Sequence, residues 1–159
     1  MTYQEYIKHE IKVWEQIVVP AILPFLPKEL TVYDIGCSYG AGLIALRKTD
    51  PDFNLFGIEK NAKKLFETKL KPLGFAESYL SDFHIQLMEI DGNDPSVLFS
   101  DATLIIKTFN LSVSWKDVLK KKEPQFLLTH VLDPITSNRY KLIQQINGEP
   151  NIYFLYKHI

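Results

Sequence analysis

Short apolar segments of strand length alternate with helical segments through most of the chain. Five such apolar segments cover residues 30–36, 53–59, 83–90, 102–109 and 124–132. They show little polar–apolar alternation, which is typical of strands that are buried on both faces of a sheet. Because strands that alternate with helices pair in parallel through right-handed crossovers, the pattern predicts a three-layer α/β fold.

The C-terminal part of the chain has a different pattern. The segments "RYKLIQQI" and "NIYFLYKH" are both of strand length, and only the turn-forming residues "NGEP" separate them. This arrangement predicts a β-hairpin, because a short loop can join antiparallel strands but not parallel ones. With the five earlier strands, the hairpin completes a mostly parallel seven-stranded sheet with an antiparallel edge.

Helical segments are predicted between the strands and at the N-terminus. Residues 3–18 have an apolar face of helical period, and Pro20, Pro24 and Pro27 are expected to break the chain after it. The predicted helices after the first strand cover residues 41–48, 61–71, a short stretch at 95–100, and 114–122. Asn61 and Ser114 are the candidate N-caps. A length of 159 residues fits one domain, with 1–29 as a helical cover and 30–159 as the ligand-binding core.

Composition excludes several classes of protein. The chain has 18 basic and 19 acidic residues, a balance that argues against a protein devoted to binding nucleic acid phosphates. A single cysteine allows neither an intrachain disulfide nor a cysteine-based zinc site. The N-terminus has no signal-peptide pattern, and the longest apolar run, about ten residues, is too short to span a bilayer. We therefore expect a cytoplasmic protein without a membrane span.

The stretch "VYDIGCSYGAG" places an acid and three glycines directly after the first strand. A dinucleotide site requires G-x-G-x-x-G, but Ser38 stands between Gly36 and Gly40, and no G-K-[ST] follows as a P-loop requires. Asp34 also argues against both, because a carboxylate at this place repels a pyrophosphate. It would instead attract a cationic ligand, such as one with an ammonium and a sulfonium group.

Two further acids follow the next two strands. Glu59 ends the second strand and could accept hydrogen bonds from both hydroxyls of a ribose. Asp91 ends the third strand and could accept one from an adenine amino group. Because the carboxyl ends of parallel strands meet at one edge of a sheet, the three acids predict a site for an adenosine ligand without phosphates.

The segments "VYDIGCSYGAG", "LFGIEKN" and "LMEIDGND" together resemble those of class I S-adenosylmethionine-dependent methyltransferases. Ser38 replaces a common glycine of that family, a change that costs little if the local φ is negative. The resemblance implies a Rossmann-like fold and transfer of a methyl group to a nucleophile. It implies S-adenosyl-L-methionine as the cofactor, bound by Asp34, Gly36, Ser38, Tyr39, Gly40, Glu59 and Asp91.

The sequence predicts the acceptor of the methyl group less directly than the cofactor. The tail from Phe126 is similar to the ends of small lysine methyltransferases, both archaeal and those that modify the ATP synthase c subunit. A protein lysine is therefore the first candidate, and a small molecule or RNA is the alternative. Phe109 and Asn110, after the fourth strand, are the candidate catalytic residues, although they could equally be a core residue and a turn residue. His130 is a further candidate base. A non-catalytic nucleoside-binding or protein-interaction module, and a nicotinamide enzyme, remain as other classes.

Overall fold

Strand β1, Thr31–Ile35, is an interior strand of a seven-stranded sheet in the computed structural model, which describes residues 1–159. All its residues except Thr31 are buried, because helices or loops cover both faces of the sheet. The strand order is β3-β2-β1-β4-β5-β7-β6. The other strands are Asn54–Ile58 (β2), Ile85–Met88 (β3), Leu104–Lys107 (β4), Phe126–His130 (β5), Tyr140–Asn147 (β6) and Ile152–His158 (β7).

The first five strands pair in parallel, and β7 pairs antiparallel with both β5 and β6. The predicted seven-stranded mixed sheet with its C-terminal hairpin is therefore confirmed. The chain runs outward from β1 to β2 and β3, then returns to the other side of β1 to form β4 and β5. The topological switch point, where ligands bind in such sheets, thus lies between β1 and β4 at their carboxyl ends.

The helices surround the sheet. Their bounds are Tyr3–Val13 (α1), Val19–Ile22 (α2), Ala41–Thr49 (α3), Ala62–Leu65 (α4), Tyr79–Asp82 (α5) and Trp115–Lys121 (α6). The Ser114 side chain accepts a hydrogen bond from Asp117 N, which confirms the predicted N-cap of α6. Asn61 occupies the N-cap position of α4, but its side chain makes no capping hydrogen bond.

The N-terminal helix does not break at Pro20 as predicted. A π-helical turn, Trp14–Val18, joins α1 to α2, and Pro20 sits in the first turn of α2. A proline has no N–H and clashes with the preceding turn of an α-helix, and the wider π turn accommodates both effects. The N-terminal segment is therefore helical from Tyr3 to Phe25, ending in a 3₁₀ turn.

The prediction of a short helix at residues 95–100 is wrong. This segment consists of turns, and Phe99 and the nearby Asp101 have left-handed backbones with φ of 53° and 59°. The Asp94 side chain accepts hydrogen bonds from both N and Oγ of Ser96, which fixes a turn instead of a helix. The irregular path buries Phe99 to 1% exposure on the sheet face that α6 also covers.

The core has two parts, one on each face of the sheet. The larger part contains the buried residues of α1, α2 and α3, and the smaller contains those of α6 and the segment around Phe99. This confirms the three layers. None of the helices is both long and apolar enough to cross a membrane.

Candidate functional site

A cleft of about 420 Å³ opens at the switch point of the sheet. This volume lies within the range of small-molecule sites. Its walls come from the turn after β1, the end of β2 and the segment after β4. The lining residues are Gly36, Ser38, Glu59, Lys60, Phe109, Asn110, Leu111 and Ser112. Five of the nine predicted site residues are thus brought together in one cleft.

Gly36 lets the segment after β4 approach the turn after β1. Its φ is +72°, and a Cβ atom there would lie 2.7 Å from Asn110 Cβ. A side chain at residue 36 would therefore both strain the backbone and push Asn110 away.

Replacing Gly36 by alanine should lower the free energy of unfolding by about 2–4 kcal/mol, from the left-handed backbone and the overpacking together. Urea denaturation measures this loss. Gly74→Ala is the matched control, because Gly74 has φ +90° but open space where its Cβ would be. The control should lose only about 1–2 kcal/mol. Equal losses for the two variants would contradict the proposed close approach.

Glu59 directly follows β2 and is half-buried at the cleft. Its carboxylate accepts hydrogen bonds from Ser38 N at 3.3 Å and from Asn61 N at 3.1 Å. These backbone donors orient the side chain, and each oxygen keeps a further lone pair for a ligand. A pair of neighbouring hydroxyls is a ligand group that such a carboxylate can bind.

Ser38 has a positive φ of 54°. The condition under which a serine would cost little here, a negative φ, is therefore not met. The left-handed backbone costs about 1–2 kcal/mol for a non-glycine residue. It also directs the amide of Ser38 to Glu59, so the strained turn helps to position the acid.

Asp34 lies near the end of β1 and is only 5% exposed. No side-chain hydrogen bond or ion pair holds its carboxylate, whose oxygens are not among the fully buried polar atoms. Burial, and then the charges of Glu10 and Glu59, raise the pKa of Asp34 well above its ordinary value. A buried carboxylate without a partner is costly for a folded protein, unless a cationic ligand completes the site.

Tyr39 is buried beside Glu10, away from the cleft lining. It is 2% exposed, and its backbone oxygen accepts a hydrogen bond from the Tyr79 hydroxyl. Burial, and then the neighbouring Glu10 carboxylate, raise the pKa of Tyr39. The expected contact of Tyr39 with the cofactor remains a prediction.

Gly40 and Asp91 lie outside the cleft lining. Gly40 has φ +81° at the N-cap of α3, and a Cβ there would meet Leu80 Cδ2 at 2.7 Å. Asp91 is exposed and its Oδ1 accepts a hydrogen bond from Asn93 N, closing a turn after β3. Their contacts with a cofactor remain predictions.

The two candidate catalytic residues occupy one wall of the cleft. Phe109 is 48% exposed, and its ring lies 5.5 Å from that of His130 and 6.5 Å from that of Tyr153. Asn110 Oδ1 accepts hydrogen bonds from Ser112 N, Ser112 Oγ and Val113 N. This oxygen is therefore saturated and holds the turn, so only the amide nitrogen of Asn110 is free for a ligand.

His130 has both ring nitrogens engaged. Leu132 N donates to Nδ1 at 3.1 Å, so Nε2 carries the proton and donates to Asn151 Oδ1 at 3.2 Å. The ring therefore has no free lone pair in this arrangement, which makes it a poor base.

A buried polar network behind the cleft was missed by the sequence analysis. Lys107 in β4 is 1% exposed, forms an ion pair with Asp133 and donates to Asn110 O at 3.1 Å. Thr129 accepts from Trp115 Nε1 at 2.9 Å and donates to Asp133 O at 2.7 Å. The network ties the segments after β4 and β5 together. The sign of this network in the sequence was the lysine that ends the apolar run "LIIK".

Glu10 was also missed. It lies three to four residues from Tyr6, Ile7 and Trp14, and so on the apolar face of the N-terminal helix. Glu10 is partly buried, and a carboxylate on an otherwise apolar helix face was its signal in the sequence.

The fold is shared with known methyltransferases. A methyltransferase described as S-adenosyl-L-methionine-dependent, from Methanococcus maripaludis, aligns over 97% of this chain and 89% of its own, with 18% identity and a TM-score of 0.64. An Aquifex aeolicus SAM-dependent methyltransferase aligns over 100% of both chains, with 13% identity and a TM-score of 0.59. A Pyrococcus abyssi tRNA (uracil-54, C5)-methyltransferase, solved with S-adenosyl-L-homocysteine, aligns over 89% of this chain and 37% of its own, with 15% identity and a TM-score of 0.60.

At these identities the similarity shows the fold. The chain has the Rossmann-like fold of class I S-adenosylmethionine-dependent methyltransferases, as the resemblance implied. No protein-family model and no curated protein sequence matches the chain.

Proposed function

We propose that the protein is an S-adenosyl-L-methionine-dependent methyltransferase. The observation that carries this proposal is the largely buried carboxylate of Asp34, two residues before Gly36 of the cleft lining and close enough to Glu59 to feel its charge. It fits the ammonium of the methionine group, and Glu59, across the turn, fits the ribose hydroxyls. When bound, this cofactor supplies a methyl group on a positively charged sulfur, which needs no metal for activation.

The chain's own residues would bind and orient the reactants. Gly36 and Ser38 line the cleft where the methionine group would lie, and Phe109 and Asn110 form the wall that would face the acceptor. Holding both reactants in line is the main source of rate enhancement for such a transfer. Tyr39, Gly40 and Asp91 would act at its margins, through the backbone turn and the adenine end.

A protein lysine is the acceptor we favour, on the resemblance of the tail from Phe126. Two large apolar side chains of the cleft lining also support a macromolecular acceptor, because Phe109 and Leu111 are 48% and 73% exposed. An acceptor RNA is the weaker alternative, although one fold neighbour is a tRNA methyltransferase. The net charge of −1 and the carboxylates at the site do not attract phosphates.

A non-catalytic nucleoside-binding module is the second candidate. The saturated side-chain oxygen of Asn110 favours it, because the segment after β4 then offers few groups to a reacting acceptor. A lysate assay with radiolabelled methyl groups separates the two candidates. Labelling of any component supports the enzyme, whereas cofactor binding without labelling supports the module.

Glu59→Gln should weaken the binding of S-adenosyl-L-methionine by about 10- to 100-fold, because a neutral amide cannot accept charge-assisted hydrogen bonds from two hydroxyls. Isothermal titration calorimetry measures the affinity. Glu29→Gln is the control. Glu29 is an exposed acid just before β1, at the amino ends of the parallel strands and so away from the site. Failure of the unaltered protein to bind either the cofactor or S-adenosylhomocysteine would contradict the proposed function.

A further inference from the structure

A second pocket, of about 420 Å³, lies between α4, the turn that follows α4, and strand β3. Its volume is within the range of small-molecule sites. Ser38 is the only residue that it shares with the cleft at the switch point, and neither Glu59 nor Asp91 lines it. Apart from Ser38, the second pocket therefore uses none of the residues that we assign to the cofactor.

A π turn, Phe66–Leu70, forms the wall of the second pocket that follows α4. Lys71 N donates to Phe66 O, five residues back, and Pro72 comes directly after it. The same arrangement precedes Pro20 in the N-terminal helix, because a π turn accommodates a proline that an α-helical turn would not. Such π turns within helices are frequent at functional sites, so this wall is a place where a ligand site is expected.

The floor of the second pocket is apolar. Leu65 and Leu70 contribute to it from the helix, and Leu87 from β3. Leu70 is buried, whereas Leu87 is 42% exposed although it lies in a strand. A ligand with an apolar body would remove this leucine surface from water, which favours binding.

The second pocket is also lined by three exposed carboxylates. They belong to Glu67, Glu77 and Glu89, and Lys63 is the only basic residue of the lining. Lys71 lies 3.6 Å from Glu67, whereas no ion pair holds Glu77 or Glu89. The lining thus has an excess of negative charge, and its attraction for a cation increases where a bound ligand displaces water.

We propose that the second pocket binds a small molecule that has an ammonium group on an apolar body. The apolar body would lie on Leu65, Leu70 and Leu87, and the ammonium would bind Glu77 and Glu89. An anion would be repelled by these carboxylates. A neutral apolar ligand would take water from them without pairing them, which is costly.

The amine would lie beside the cofactor and would not be the acceptor of the methyl group. Phe109 and Asn110, which form the wall that would face the acceptor, do not line the second pocket. Ser38 is the point of contact, because its side lines both spaces and its amide donates to Glu59. The proposal therefore goes beyond the proposed function and does not depend on it.

The test is an NMR titration of the protein, without nucleoside, with 2-phenylethylammonium chloride. The neutral 2-phenylethanol is the matched probe, because it has the same apolar body without the charge. The ammonium should bind about tenfold more tightly than the alcohol, and both should shift the amide signals of Leu65, Leu70 and Leu87. Equal binding of the two probes, or shifts at other residues only, would overturn the proposal.

The double variant Glu77→Gln/Glu89→Gln should reduce the preference for the ammonium to about twofold or less, because an amide has no negative charge. A glutamine at residue 89 can still accept the hydrogen bond from Lys63 N, so the start of α4 is retained. Glu29→Gln is the control, with the same change at the amino ends of the strands, and should leave the preference unchanged. A double variant that keeps the full preference would contradict the assigned role of the two acids and overturn the proposal.

Leu87→Ala measures the contribution of the apolar floor. It should weaken the binding of both probes by about threefold and leave the preference for the ammonium unchanged. Leu87 is 42% exposed, so the shorter side chain leaves no buried cavity. Unchanged affinities of both probes would mean that neither lies on this floor, which also overturns the proposal.

A repeat of the titration with saturating S-adenosylhomocysteine separates the second pocket from the cleft. The ammonium should still bind, because the two sites share only Ser38. Displacement of the ammonium by the nucleoside would place it in the cleft and overturn the proposal. A protein that binds no nucleoside would contradict the proposed function alone, since the first titration is made without one.

Discussion

Asp34→Asn should weaken the binding of S-adenosyl-L-methionine by about 10- to 100-fold and at the same time stabilise the free protein. The loss of affinity follows from replacing a charge-assisted hydrogen bond to the ammonium by a neutral one, worth about 1.5–3 kcal/mol. The gain in stability follows because no side-chain hydrogen bond or ion pair holds the largely buried carboxylate. Removing this penalty should raise the free energy of unfolding by about 1–3 kcal/mol.

The stability gain of Asp34→Asn should increase as the pH rises. The pKa of Asp34 is raised in the folded state above its ordinary value of 3.8. Between these two pKa values the folded protein binds more protons than the unfolded chain, so its stability falls as the pH rises. The difference between Asp34→Asn and the unaltered protein should therefore be absent below about pH 3.8, grow through the interval and remain at higher pH.

Urea denaturation at several pH values and calorimetric titration of the cofactor measure the two effects. Asp52→Asn is the control, because Asp52 is exposed in the loop before β2, at the edge away from the site. Asp52→Asn should change neither the free energy of unfolding nor the affinity for the cofactor. A variant Asp34→Asn that binds the cofactor normally, or that is less stable at neutral pH, would show that Asp34 has a structural role instead.

Asp133→Ala should destabilise the protein far more than Lys107→Met, although the two residues form one ion pair. Lys107 is 1% exposed, whereas the Asp133 side chain is 22% exposed. Removing Asp133 leaves a buried ammonium without a counterion, which costs about 3–5 kcal/mol. Removing Lys107 leaves a carboxylate that can turn to water, and methionine fills the same volume, so the loss should be about 1 kcal/mol.

The free energies of unfolding of both variants and of the double variant measure this asymmetry. Lys107→Met/Asp133→Ala should recover most of the loss of Asp133→Ala, because no unpaired charge remains. The Lys107 variants also lose the hydrogen bond to Asn110 O and should loosen the wall of the cleft. A larger loss for Lys107→Met than for Asp133→Ala would refute this explanation of the network.

The sheet could be predicted well from the sequence because its strands are buried on both faces. The segment around β1 and that around β4 are mostly apolar, and their backbones have few other stable arrangements. Gly36, with its positive φ, and Glu59, after β2, were found for a related reason. Both stand at strand ends, and parallel strands bring such positions to one edge.

The structure departs from the sequence-based predictions where contacts between residues far apart in the chain override the local conformational preference. Pro20 predicted a break, but packing of the N-terminal helix on the core holds it together through a π turn. Ser38 adopts a left-handed backbone that a single serine disfavours, because its amide bonds Glu59 of the next strand. Neither contact is visible in the local sequence.

The sequence by itself determined the sheet, the turn after β1 and the two acids Asp34 and Glu59, because burial and strand periodicity depend on neighbours along the chain. Only the tertiary structure decided that Glu10 of the first helix lies beside Asp34 and Tyr39, and that Lys107 pairs with Asp133. These groups are far apart in sequence. Their energies depend on desolvation and on charges at short range in space, which exist only once the chain has folded.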